Sequence, residues 1–140
     1  MKSGNIRAHK GDIAMQLLKD ARAMYDLEHY FSAIHLAAGA SEVLCTLCEI
    51  YDKPSPHLEL KKMLKDFHDS DPSFFGKPQQ MLNSFYAAKN TVKHLNKAKN
   101  DEIVVLNAEM RSRLYINQAC RAASALGIEH ELVLPEFRPV

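Results

Sequence analysis

Nineteen consecutive residues, Tyr30 to Cys48, contain one formally charged side chain, Glu42. Within that stretch Phe31, Ile34, Leu36, Ala37, Ala38, Ala40, Val43, Leu44 and Leu47 fall on every face of a helix. A helix that is apolar all round is one that other helices surround. A membrane span is the rival reading, but Ser32, His35, Ser41, Glu42 and Thr46 interrupt the run and no positive cluster flanks it. The expectation is the central helix of a bundle with no membrane contact. Glu42 on such a helix is expected to be shielded and paired with a polar group from another helix. A lone buried carboxylate costs several kcal/mol, on the order of a lost charge-assisted bond, or takes up a proton. Ala37-Ala38-Gly39-Ala40-Ser41 removes bulk, so a neighbour can come close at that level.

The remaining segments repeat at three to four residues, and no long two-residue alternation precedes the C-terminal tail. A first helix is predicted over Asp12 to Leu27 and a second over about Glu28 to Tyr51. The third opens at Ser55-Pro56, a capping residue followed by a first-turn proline, and runs to about His68. A loop spans Asp69 to Gly76. Pro78 opens the fourth helix, predicted to reach Leu95 or Asn96. Asn100-Asp101-Glu102 is the expected cap of the fifth, which ends at Leu126 before Gly127. The fold class is therefore all-α, an up-down bundle of about five helices with a short irregular or extended tail over 127–140. Phe31, Ile34, Leu44, Phe85, Val92 and Leu114 are the expected interior.

At 140 residues the chain suits a single domain, 1–140, with its core over roughly 12–126. Eighteen basic against seventeen acidic side chains exclude a protein that coats long nucleic acid by bulk charge, but not a local phosphate site. Cys45, Cys48 and Cys120 are an odd count, and Met1 to Gly11 lacks an apolar leader core, so free thiols in the cytoplasm are expected. Cys45 and Cys48 sit mid-helix with no second pair to complete a zinc site, which makes them core residues. None of the glutamates is followed three residues later by histidine, which argues against a di-iron bundle. Neither a metal nor a cofactor is expected.

Pro72 to Asn100 holds no acidic residue but contains Lys77, Lys89, Lys93, Lys97 and Lys99. Met81, Phe85, Ala88, Val92 and Leu95 form the apolar stripe of that helix, which gathers Tyr86, Lys89, Asn90, Lys93, His94 and Lys97 on the other side. A solvated lysine face and a phosphate site both fit this pattern. The imidazole, amide and ammonium groups are components of phosphodiester chemistry, with no nucleophile–base–acid triad and no glycine-rich phosphate loop.

Lys89-Asn90-Thr91-Val92-Lys93-His94 resembles the HEPN superfamily hallmark, an arginine, often followed by asparagine or another polar residue, and a histidine after four to six intervening residues. The helix Tyr30 to Glu42 is similar to the acid-bearing, small-residue helix of related bundles, and the resemblance covers about residues 12–126. It implies a homodimer whose two protomers form one joint cleft that cuts RNA without a metal. Carried over residue by residue, it implies that His94 is the general acid or base, Lys89 the phosphate stabiliser and Asn90 the orienting amide. Glu42 would hold the histidine or lysine, and Lys93, Lys97 and Tyr86 would bind substrate. Lys89 departs from the family arginine, exchanging a two-pronged guanidinium for one mobile ammonium. The leading expectation is an RNA- or nucleotide-interacting protein, a metal-independent ribonuclease of toxin or defence type if it cleaves. The alternatives are a noncatalytic module, such as the partner of a nucleotidyltransferase in a toxin–antitoxin pair, and a small-molecule or metal-binding bundle using His35, Glu42 and His94.

Overall fold

Three of the five helices end in the same hydrogen-bonded turn, and these turns set where the chain reverses. The computed structural model describes residues 4–94 and 103–135. Among them lie five helices and no strand: α1 Lys10–Asp26, α2 Tyr30–Ile50, α3 Pro56–Ser70, α4 Pro78–Lys93 and α5 Ala108–Ala125. After α1, the His29 amide donates to the Met24 carbonyl (2.8 Å) and the Glu28 amide to that of Tyr25 (2.9 Å). Lys53 and Asp52 repeat the pair after α2, on Cys48 and Glu49, and Ile128 and Gly127 repeat it after α5, on Ala123 and Ser124. This is the Schellman arrangement, which needs a left-handed residue just past the cap. Gly127 takes that conformation freely at φ 78°, whereas Glu28 and Asp52 adopt it at 62° and 54°. The left-handed Glu28 is why α2 begins at Tyr30, two residues later than the apolar pattern predicts.

The central place of α2 is as expected: it packs against α1, α4 and α5, while α3 lies on α4 and α5. The core is built largely from alanine, with Ala14, Ala21, Ala33, Ala37, Ala40, Ala119, Ala122 and Ala123 buried around Leu18, Ile34, Leu44, Tyr115 and Ile116. Short side chains let α1, α2 and α5 approach closely. By length and composition α2 is long and apolar enough to cross a membrane, and half of that window is buried inside the fold.

Two expected interior residues are outside. Phe31 is 54% exposed and Leu114 39%. Because α2 is apolar on all sides, its sequence carries no phase. The buried stripe runs through Ala33, Ile34, Ala37, Ala40, Ser41 and Leu44, which leaves Phe31 on the open face. On α5 the stripe passes through Ser112, Tyr115, Ile116 and Ala119, and Leu114 is one position off it. The fifth helix also starts late, with Asn107 as its cap accepting from the Met110 amide (3.0 Å). The expected cap at Asn100-Asp101-Glu102 lies outside the described residues; Ile103 to Leu106 precede the helix.

The core does not end at residue 126. Asn117 clamps Leu134 in both directions, its amide donating to the Leu134 carbonyl (3.2 Å) and its oxygen accepting from the Leu134 amide (2.9 Å). Arg22 donates to the Leu132 carbonyl and Arg113 to that of Pro135 (3.3 and 2.7 Å). Leu134 is thereby buried with the core, so the core extends past residue 126.

Candidate functional site

Helix α2 sends Ala38, Ser41, Glu42, Cys45, Thr46 and Glu49 to one side, a three-four progression that makes a single stripe. That stripe is one wall of a cleft of about 330 Å3. His57 and Lys61 enter from α3, Tyr86 and Lys89 from α4, and Tyr115 and Gln118 from α5. Ser55 caps α3 by accepting from the Leu58 amide (3.4 Å), and Pro56 sets the first turn, so His57 is held at the helix entrance.

A chain of side-chain hydrogen bonds crosses the cleft from the core. Ser41 Oγ donates to Gln118 Oε1 (2.7 Å), Gln118 Nε2 donates to the Tyr86 hydroxyl (3.0 Å), and that hydroxyl lies 2.7 Å from His57 Nδ1. The Tyr86 hydroxyl, which accepts from Gln118, thus joins His57 Nδ1 to the buried chain, and the tautomer of His57 sets which of the two donates. Burial holds His57 below its ordinary value of 6.5; Lys61 pushes it further down, Glu49 opposes this, and Lys89 adds a smaller downward push. Burial likewise raises Tyr86, so the phenol keeps its proton. The Tyr115 ring stacks on Tyr86 at 6.4 Å and its hydroxyl is tied to the Phe85 carbonyl (2.6 Å). Lys89 Nζ stands 4.7 Å over the Tyr86 ring, a cation–π contact that steadies the ammonium at the rim.

Glu42 is exposed, contrary to the shielded and paired acid expected from the apolar run. It stands on the cleft face of α2, where no helix covers it, and needs no buried partner. Among the described residues the ion pairs within 4 Å are Arg22–Asp26 and Arg113–Glu109, so the two glutamates and two lysines of the cleft stand apart from one another. A second recess of about 120 Å3 adjoins the cleft through Ala38, Glu42 and Lys89, and is completed by His35, Gly39, Asn90 and Lys93.

Of the expected site residues, the fold thus brings Glu42, Lys89, Asn90, Lys93 and Tyr86 to two adjoining recesses. His94 is not with them. It is the cap residue after Lys93, its backbone turns extended (φ −125°, ψ 139°), and its side chain is exposed and lines neither recess. The helical geometry that would set it one turn above Asn90 ends at Lys93. Lys97 lies outside the described residues. His35 and Glu42 share the small recess without His94, so the metal set His35–Glu42–His94 is not assembled. Among the described residues no group of three His, Cys, Asp or Glu side chains converges. Cys45 and Cys48 are buried free thiols of the core, with Cys48 Sγ donating to the Ala122 carbonyl (3.4 Å). Burial raises Cys48 and lifts Cys120 to about 11, which keeps both protonated.

His57, Lys61, Ser41, Gln118 and Tyr115 were not singled out by sequence. Each reads locally as an ordinary helix residue, and no spacing within one element marks it. No protein-family model, curated protein or solved structure matches the chain. The residues of the cleft therefore carry the functional argument.

Proposed function

We propose that this chain is a HEPN-like helical-bundle protein of the cytoplasm that binds RNA or a nucleotide in the cleft between α2, α3, α4 and α5. The observation that carries this reading is the meeting of Lys61, Lys89, His57 and Tyr86 on one cavity of about 330 Å3. That volume is at the small end of ligand sites, roughly 300–1,000 Å3. Two ammonium groups suit a phosphate, and the carboxylates of Glu42 and Glu49 on the opposite wall accept from the amino and hydroxyl groups of a nucleoside. Binding is favoured over cleavage by His94, because His94 is outside its own cleft. If RNA is cut, His57 is the imidazole placed to exchange the proton.

Titration of AMP and of a labelled single-stranded hexaribonucleotide tests the reading. Wild type should bind, and Lys89→Gln should weaken binding about 10-fold or more, the worth of one charge-assisted contact at ~1.5–3 kcal/mol. Lys89→Arg should preserve or strengthen it. Wild type inert toward both ligands overturns the proposal. Metal-free incubation with RNA, scored for cyclic phosphate ends, separates the two imidazoles. Loss of cleavage in His57→Ala but not His94→Ala assigns the chemistry to the cleft. Self-association belongs to the same proposal, since the resemblance implies a cleft shared by two protomers and His94 is exposed for a second copy. A monomer in sedimentation at micromolar concentration removes that part.

One observation favours the noncatalytic reading, a module that pairs with a nucleotidyltransferase. Phe31 stands open in a shallow groove with Met24, Leu36 and Val92, the apolar ground a protein partner would cover. Co-purification with a co-expressed nucleotidyltransferase, lost in Phe31→Asp, supports it; absence of any complex removes it.

A further inference from the structure

Helix α3 supplies one wall of the cleft through His57, Leu58 and Lys61, yet it belongs least to the core. Of its fifteen residues Pro56 alone is buried, whereas α2 and α5 each bury eight. It lies on α4 and α5 with Leu60 and Leu64 half-buried, while Leu58, Met63 and Phe67 stay exposed. Among the described residues, its one hydrogen bond to another helix is that of His57 with the Tyr86 hydroxyl (2.7 Å), and neither ion pair involves it. The far end is tied to its own loop instead. His68 Nδ1 lies 3.2 and 3.1 Å from the Phe75 and Gly76 carbonyls, and Phe67 stacks on Phe75 with ring centroids 5.2 Å apart. Helix and loop are thus one unit, held to the bundle by shallow packing and a single polar contact. Segments that bury little apolar surface open at the lowest cost, and a helix of this length frays once undocked.

We propose that α3 and its loop form a lid over the cleft, hinged at residues 51–55 and 76–77 and latched shut by His57 on Tyr86. The latch is built to release. When it parts, His57 meets water and the Tyr86 hydroxyl keeps its bond from Gln118 (3.0 Å), so no buried polar group is stranded. The Ser41–Gln118 pair lies beneath the latch and stays intact as the lid swings. Cys45 reports the motion. Its thiol lines the cleft beside Ser41 (3.8 Å) but is only 5% exposed, whereas Cys48 and Cys120 are sealed in the core at 0% and 1%. Opening the lid bares Cys45 alone; the other two thiols wait for the bundle to unfold. The lid's role as a gate to the cleft rests on reading the cleft as a ligand site, while its motion does not.

Site-resolved iodoacetamide labelling of the three cysteines, together with amide hydrogen exchange, measures the motion in the full chain without ligand. Cys45 and the α3 amides should react at least ~10-fold faster than Cys48, Cys120 and the amides of α2 and α5, with a weaker urea dependence because less surface opens. His57→Ala should speed Cys45 and α3 about 2- to 10-fold, the worth of one hydrogen bond. Leu134→Val, in the C-terminal segment, should speed Cys48 and Cys120 but leave Cys45 and α3 within about twofold, because lid opening does not disturb the core. Cys45 and α3 as slow as the core, or quickened in step with it by Leu134→Val, overturn the lid, since α3 then opens only as the whole bundle unfolds. A fast Cys45 beneath slow α3 amides overturns it as well, showing a cleft open at rest. Rates unmoved by His57→Ala overturn the latch. With AMP at about ten times its Kd, α3 exchange should slow roughly 10-fold, as binding to the closed form requires. AMP that binds without slowing α3 overturns the gate. AMP that fails to bind, with the exchange pattern intact, counts against the cleft reading and leaves the lid standing.

Discussion

The charged form of His57 is disfavoured in the folded chain by burial first, and then by the neighbouring Lys61 and Lys89. The unfolded chain takes up a proton near 6.5, whereas the folded chain does so at a lower pH. Stability is therefore fully present above that value and declines as pH falls toward the folded value, where the loss levels off. His57→Gln removes this titration, so its melting temperature should fall less than that of wild type between pH 7 and 5. Parallel curves would show that His57 is not held neutral. Glu109 works lower on the scale. Hydrogen bonds from Tyr25 (2.5 Å) and Arg113 (2.6 Å) hold its carboxyl below 4.5, so its contribution is present above 4.5 and is lost as pH falls through the folded value. The neighbouring Arg113 also anchors Pro135, which couples that acid limb to the C-terminal segment.

Helix ends are where local rules act most cleanly in this chain, and where they leave measurable strain. Glu28 and Asp52 occupy positions that glycine takes without cost, while Gly127 fills the equivalent position after α5. An L-residue in the left-handed region costs roughly 1–2 kcal/mol, partly offset by the greater freedom that glycine has when unfolded. Glu28→Gly and Asp52→Gly should each raise stability by up to ~1 kcal/mol in urea denaturation, and Gly127→Ala should lower it by ~1 kcal/mol. Destabilisation by both glycine substitutions would mean that the two side chains contribute something their backbone strain conceals. Gly39 differs, because it is helical and a Cβ there would meet only Leu17 Cδ1 at 3.8 Å. Its smallness is not demanded by close packing, unlike Ala33, Ala37 and Ala40 on the buried stripe.

At the scale of the whole molecule, the C-terminal segment is part of the structure that holds α1 and α5 together. Leu134 is 3% exposed, and its backbone is satisfied by Asn117 in both directions. Leu134→Ala should cost ~2–5 kcal/mol, the range for a buried leucine. Phe31→Ala, on the open face of α2, should change stability by no more than about 0.5 kcal/mol. Similar urea midpoints for the two variants would contradict the burial pattern of the entire bundle.

The all-α class, the order of the helices and the Ser55-Pro56 entrance of α3 could be read from the chain alone, because periodicity and capping act over three or four residues. Lys89, Asn90, Lys93, Tyr86 and Glu42 were legible as candidates for the same reason: charge and spacing within one helix are local properties. The rotation of α2 was not legible, since apolar residues on every face leave no preferred side. Packing against α1 and α5 decided it, exposing Phe31 and Glu42 together. The cleft was not legible either. Ser41 meets Gln118 across 77 positions and His57 meets Tyr86 across 29, contacts that exist once α2, α3, α4 and α5 have docked. His94 was displaced by a change of backbone at a single residue, where α4 ends and the helical relation to Asn90 ends with it.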